Sequence, residues 1–413
     1  MKKLYLIVSV LLLPSLAILA FGDNIEFIGS YDNLSEAYDV DVIWPYAYVC
    51  EYLCSSGLVI LDISDPEIPI FVSSYVTPGR THDIDVENGY AYLADDTGLH
   101  IIDVSIPEDP VYVSQYDTYG RAFGVFVYGD HVIVACGSQG LLIFDVSDPS
   151  VPDLIGSCYI PFCASGVYVA GNVAYIAAHD FTLYTVDISI LSNPTILAVI
   201  DTPGYARRGV YLIGNYAFVP DWGAGLQIID IADPSNPILE GNYNTSGHSL
   251  NVYVKDFAYL TDCGSGIHIL NIDDPSDPIL LASYNTPGTA RGIDVVADFI
   301  FVADVSSLQI LKLITTSIDD HSEGLPDKIL ISQNYPNPFN SSTIIQYSLP
   351  DEAYVTINIY DLLGQNIVTL VSKKQTAGLY QVTWNADNVP SGIYIYSIKA
   401  GEYYQTQKCI LLK

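Results

Sequence analysis

The segments LVILD (58–62), LHIID (99–103), LLIFD (141–145), LYTVD (183–187), LQIID (226–230), IHILN (267–271) and LQILK (308–312) repeat one apolar strand seven times. Their last residues, Asp62, Asp103, Asp145, Asp187, Asp230, Asn271 and Lys312, lie 41, 42, 42, 43, 41 and 41 positions apart. A period of about 40–45 residues assembled from short strands is the spacing of propeller blades.

Working outward, each unit carries four strand-like segments separated by turn residues. In the second unit they are THDIDVENG (81–89), YAYLADD (90–96), GLHIIDVS (98–105) and PVYVSQYDT (110–118). Alternating Val, Ile and Tyr suit half-buried strands, where branched and aromatic side chains pack on a pleated face. The third segment runs into DISDPEIP (62–69), DVSDPSVP (145–152) or DIADPSNP (230–237). Aspartate bonds backbone amides in such turns and proline stops the strand, so these acids read as turn formers rather than as calcium ligands.

The seventh unit supplies three strands (290–313) and then leaves the pattern. Its missing fourth strand is IEFIGSY (25–31), which matches IFVSSY (70–75), VYVSQY (111–116) and ILLASY (279–284). The mature N-terminus is thus expected to close the ring and leave no open sheet edge. The fold expected is all-β, a seven-bladed β-propeller over residues 24–313 followed by a small immunoglobulin-like β-sandwich.

These repeats resemble the LVIVD repeat family across residues 25–313. The resemblance implies a secreted or cell-surface propeller, of the kind that carries different C-terminal anchors in different proteins. A polar linker (314–330) leads to a second β-rich segment, 331–413. Here Asn334-Tyr335-Pro336-Asn337-Pro338-Phe339-Asn340, Asp361-Leu362-Leu363-Gly364-Gln365, Pro390-Ser391-Gly392-Ile393-Tyr394 and Lys408-Cys409-Ile410-Leu411-Leu412-Lys413 resemble the type A sorting domain of the type IX secretion system. That resemblance implies a Gram-negative bacterium, export across the outer membrane, and the secretion machinery as a partner. Asn337, Pro338, Phe339, Asn340, Gly364, Gly392 and Lys408 carry the sorting motif.

The totals agree with export. Half of the 413 residues are hydrophobic, the mean hydropathy is +0.30 and the formal net charge is −32. Such a charge opposes binding to nucleic acid and to anionic membrane surfaces, both of which attract basic patches. Met1-Lys2-Lys3 followed by LYLIVSVLLLPSLAILAF reads as a signal peptide over residues 1–22, leaving no membrane span after cleavage. The seven cysteines show neither CxxC nor zinc spacing; Cys50 with Cys54, and Cys158 with Cys163, are close enough in sequence for local disulfides. Neither a cofactor nor a metal is expected.

All five arginines, Arg80, Arg121, Arg207, Arg208 and Arg291, fall in the loop entering a first strand, and His82 and His248 share that zone. In a propeller the first strand is innermost, so these residues converge on one mouth of the central channel. Forked guanidinium groups there suit a carboxylate or sulfate. The competing expectation is internal pairing with Glu51, Asp95, Asp221, Asp262 and Asp304, which end second strands at the same rim. Asp39 and Asp83 lie near His82, but no HExxH, GxSxG or phosphate-binding glycine loop accompanies them. The function expected is a binding scaffold for a protein or glycan. The alternatives are a secreted hydrolase or lyase acting on an anionic saccharide, and a structural surface-layer protein.

Overall fold

The computed structural model describes residues 25–53, 57–179, 181–206, 208–314, 330–331, 339, 342–350, 352–361, 365–376, 378–386, 389–401 and 403–411. The expected signal peptide and most of the expected linker lie outside them. The described elements are all strands, and the chain divides into two units, one ending at Thr315 and one from Thr316.

The first unit contains seven four-stranded antiparallel sheets. Six are consecutive in sequence, from Ala37–Val76 through Ser249–Tyr284. The seventh joins Gly292–Val296, Phe299–Asp304 and Ser307–Leu313 to Ile25–Tyr31, which pairs with residues 308–313 of the third strand. The two ends of the unit therefore share one sheet.

Burial explains why the third strands dominate the sequence. Gly57–Asp62, Gly98–Asp103 and Gly140–Asp145 are buried at every residue but the last. Both faces are covered by neighbouring sheets, so alternation disappears and the strand reads as a continuous apolar run. The fourth strands are the exposed edge, and each bulges against the third at the same place, as at Ile60/Leu61, Ile143/Phe144 and Ile228/Ile229. A bulge on every outer strand blunts an edge that would otherwise pair with another chain.

The acidic endings are turns. Asp62, Asp103, Asp145 and Asp187 each accept the amide of the residue two positions on, Ser64, Ser105, Ser147 and Ser189, at 2.8–2.9 Å. In the deviant sixth unit Asn271 does the same for Asp273 at 2.7 Å. Cys158 is a buried thiol in the core of the third and fourth sheets rather than half of a local bridge; Cys54 lies outside the described residues.

A second recurring device holds the opposite rim. Asp221 accepts Thr202 Oγ1 at 2.9 Å and the Gly204 amide at 2.6 Å. Asp262 does so for Thr245 and Gly247, and Asp304 for Thr286 and Gly288. A Thr-x-Gly loop leaving one sheet is thereby latched to the second strand of the next, the sheet it is about to enter. All three carboxylates are fully buried, so removing one leaves a hydroxyl and an amide without their acceptor.

The second unit packs a three-stranded sheet (330–331, 342–349, 378–385) and a four-stranded sheet (353–360, 366–375, 392–400, 403–411) around one core. Trp384 sits at its centre against Phe339 and Tyr394, with ring centroids 5.2 and 5.4 Å away. Of the sorting-motif residues, Phe339 is buried and donates its amide to Ile410 O at 2.9 Å, Gly392 opens a strand, and Lys408 lies opposite Ile395. Asn337, Pro338, Asn340 and Gly364 lie outside the described residues.

Asp304→Ala is expected to destabilise the first unit by about 2–4 kcal/mol, since two buried donors lose one charged acceptor. Thermal melting checks it; a change within about 0.5 kcal/mol would show that the latch is not structural.

Candidate functional site

First strands of all seven sheets converge on one cavity of about 210 Å³. Each strand places a Val-x-Val-like pair with alternate residues facing its neighbours. Read around the ring, one level holds Asp39, Asp83, Gly124, Gly166, Gly209, Asn251 and Gly292. The next holds Asp41, Asp85, Phe126, Tyr168, Tyr211, Tyr253 and Asp294. Three of this second level's residues are thus carboxylates and four aromatic, the rings following one another at 4.7, 5.1 and 4.9 Å.

The carboxylates satisfy the free edges of the inner strands. Asp294 accepts the Val42 amide (2.9 Å), Asp41 that of Val86 (2.6 Å) and Asp85 that of Val127 (2.7 Å); Asp83 accepts Val125 (2.8 Å). Each bond passes from one sheet to the next. Crowding these acids together away from water has an electrostatic cost. Burial first, then like-charge neighbours, raise Asp39 and Asp41 well above the usual carboxylate range. Burial likewise raises Asp83, takes Asp85 to about 7 and takes Asp294 to about 6.

Above this ring, a second cavity of about 180 Å³ is lined by Tyr38, Tyr52, His82, Arg121, Phe123, Ser165, His179 and Arg208. Arg208 and His82 line both cavities. Arg208 reaches there because its backbone leaves the sheet. The inner strand of the fifth sheet is only Tyr211–Ile213, and Arg208 adopts a left-handed φ of 60°. Gly166 makes room, since a Cβ on it would overlap the Arg208 carbonyl oxygen. The guanidinium then crosses to the first sheet, donating from Nη1 to Tyr38 O at 3.2 Å and lying 3.0 Å over the Tyr38 ring. Its Nη2 is buried without a hydrogen-bond partner, and burial, followed by the nearby Arg291 charge, lowers its proton affinity well below the arginine norm.

His82 is buried too. Its Nε2 meets Asp96 at 2.9 Å, while Nδ1 is buried with no hydrogen-bond partner. Desolvation lowers its pKa despite the Asp96 partner, so the ring is neutral at pH 7 with Nε2–H donating to the carboxylate.

The other sequence-predicted residues spread round this mouth. Arg121, 61% exposed, pairs with Asp96 at 3.4 Å; Arg291 pairs with Glu36 at 2.8 Å; Arg80 donates to Tyr52 Oη at 3.2 Å. His248 is exposed, lines neither cavity and stacks 4.4 Å from Trp222. Arg207 lies outside the described residues. The arginine partners differ from those the sequence suggested: Asp221, Asp262 and Asp304 serve Thr-x-Gly latches, Asp95 accepts Gly79 and Thr97, and Glu51 accepts the Ser35 amide. The channel ring itself was missed, although its signal is plain in DVDV (39–42) and DIDV (83–86) set against GVYV (166–169) and NVYV (251–254).

Similarity to solved proteins defines the class as a β-propeller. The WD40 propeller domain of Doa1 superposes with a TM-score of 0.57 at 10% identity, covering 70% of this chain and 97% of that one. A computationally designed protein, Ika8, gives 0.54 at 7% identity, with 70% and 100% coverage. PorZ, an essential bacterial surface component of the type IX secretion system of Porphyromonas gingivalis, gives 0.52 at 11% identity; the match covers 93% of this chain and 60% of PorZ. No curated protein matches by sequence. LVIVD repeats match residues 36–77, 78–118, 119–159, 163–202, 203–245 and 246–286, and the chain belongs to this repeat family. The sheet built from both ends falls outside those six matches. A secretion system C-terminal sorting domain matches residues 333–412. This tail marks the protein for secretion to the cell surface or exterior.

The channel acids make stability rise on acidification. Their folded pKa values exceed the unfolded value of 3.8, so the stabilisation is full below about pH 4 and lost as pH climbs through 6–7. The melting temperature of the propeller is expected to be higher at pH 5.5 than at pH 8. Asp85→Asn, which retains an acceptor for Val127, flattens that difference; a profile unchanged by the substitution would contradict the assignment.

Proposed function

We propose that this is a secreted or surface-held seven-bladed propeller of residues 24–313 that acts as a binding scaffold, its mouth receiving an anionic ligand. The seven sheets are its blades, residues 1–22 its signal peptide, 314–330 a linker, and 331–413 an immunoglobulin-like sorting sandwich read by the type IX machinery.

One observation carries the binding reading. Arg208 is held at the mouth at the expense of a left-handed backbone and a buried donor with no acceptor. An unpaired buried donor costs about 1–3 kcal/mol, more when charged, and structural needs alone do not repay it. A carboxylate or sulfate supplies the missing acceptor with a charge-assisted bond. Arg121 and Arg80, exposed on the same rim, add attraction for such a group.

Asp39 and Asp83, weighed as catalytic carboxylates, serve the inner strands: Asp83 accepts Val125, and Asp39 accepts its neighbouring Val40 amide and Asn251 Nδ2 (3.3 Å). Binding rather than catalysis is therefore the reading favoured here.

Arg208→Gly suits a φ of 60° and removes the unpaired donor. The variant is expected to melt at or above the parent temperature while losing affinity for small polyanions such as citrate by about 30-fold or more. Calorimetric titration checks it, and equal citrate affinity in parent and variant refutes the mouth as an anion site.

A further inference from the structure

We propose that the anion received at the mouth belongs to an acidic glycan, whose chain lies across two aromatic pairs on the rim beside Arg208. This rests on the anion-binding reading above and adds the ligand class.

Tyr205 and Arg208, on the approach to the first strand of the fifth sheet, supply the two kinds of recognition group. Arg208 turns inward, while Tyr205 projects outward and is 45% exposed. Tyr205 packs on Phe181 with ring centroids 4.2 Å apart. On the other side of the same sheet, Trp222 packs on His248 at 4.4 Å. Phe181 and Trp222 follow second strands, and Tyr205 and His248 precede first strands. In four antiparallel strands those connections share one end, the end from which Arg208 enters. The two pairs therefore bracket the arginine loop on one face.

Backbone conformation disfavours these rings. Phe181 and Trp222 have φ values of 66° and 49°, as does the 83% exposed Tyr119 at 53°. Glycine, asparagine or aspartate occupies such positions without strain, whereas bulky rings there are outliers. Gly137, at the corresponding turn of the third sheet, has φ 42°. The chain thus places a 41% exposed Phe181 and a half-buried Trp222 where backbone conformation disfavours large flat apolar groups.

Flat aromatic faces beside a forked cation match a pyranose that bears a carboxylate or sulfate: the sugar's C–H face packs on a ring and the anion takes the guanidinium. Cavity size agrees. About 180 Å³ lies below the roughly 300–1,000 Å³ of drug-sized sites and holds one sugar unit, with the rest of the chain left on the rim. A protein inserting one acidic side chain would fill the cavity but leave the separated flat pairs unexplained.

The test uses the whole secreted chain and tetrasaccharides of hexuronic acid and of sulfated hexose, with a neutral tetrasaccharide and an acidic peptide as controls. The uronate oligomer is expected to bind, and the neutral sugar to bind at least tenfold more weakly. Phe181→Asn and Trp222→Asn each relieve a strained turn, so they are expected to keep or raise the melting temperature. Each nevertheless weakens the uronate oligomer by about tenfold while leaving citrate affinity unchanged. If citrate or the acidic peptide binds through Arg208 but uronate and sulfated oligomers do not, the glycan proposal falls and the anion site stands. If no anion binds, both fall. If the two Asn variants bind the oligomer as tightly as the parent, the aromatic pairs have no part in recognition.

Discussion

The free edge of each inner strand is the constraint on which the centre of this molecule depends. Backbone amides facing a narrow channel need acceptors, and there is little room for water to provide them. In three neighbouring sheets the answer is an aspartate from the preceding sheet: Asp294 for Val42, Asp41 for Val86, Asp85 for Val127. Elsewhere, bulk from Phe126, Tyr168, Tyr211 and Tyr253 fills the same level. The first solution ties sheets together but concentrates negative charge, which is why those carboxyls hold protons so strongly. Arg208 lines this acidic chamber at its mouth end, yet its Nη1 donates upward to Tyr38 rather than to the acids, and its Nη2 meets no acceptor.

Legibility in the sequence followed burial. Third strands such as LVILD and LLIFD are covered on both faces, so the repeat, its period and the borrowed strand Ile25–Tyr31 could be read before any coordinates. Turn chemistry was equally readable, because Asp62 and its equivalents act on residues two positions away. What failed was partner choice between segments. Asp221, Asp262 and Asp304 and the arginines occupy the same rim, and sequence gives no means of seeing that Thr-x-Gly loops reach those acids first. The excursion of Arg208 was hidden for a different reason: it depends on a left-handed backbone and on the absence of a side chain at Gly166, over forty positions away. Aromatic residues at Phe181 and Trp222 look like further core residues in a tyrosine-rich β protein, and only their backbone angles set them apart.

The sheet stitched from both ends has a bearing on how such a chain can be exported and folded. Its closing contact joins Ile25–Tyr31 to Ser307–Leu313, nearly the whole length of the propeller apart. Pairing at that separation is slow and comes late, because almost every intervening residue must be ordered first. Until then Ile25–Tyr31, synthesised well before its partner, waits unpaired, and one sheet edge stays open to wrong partners. The C-terminal sorting tail lies beyond Leu313 and is synthesised only after the strand that completes the seventh sheet, so every chain that bears the tail also bears that strand.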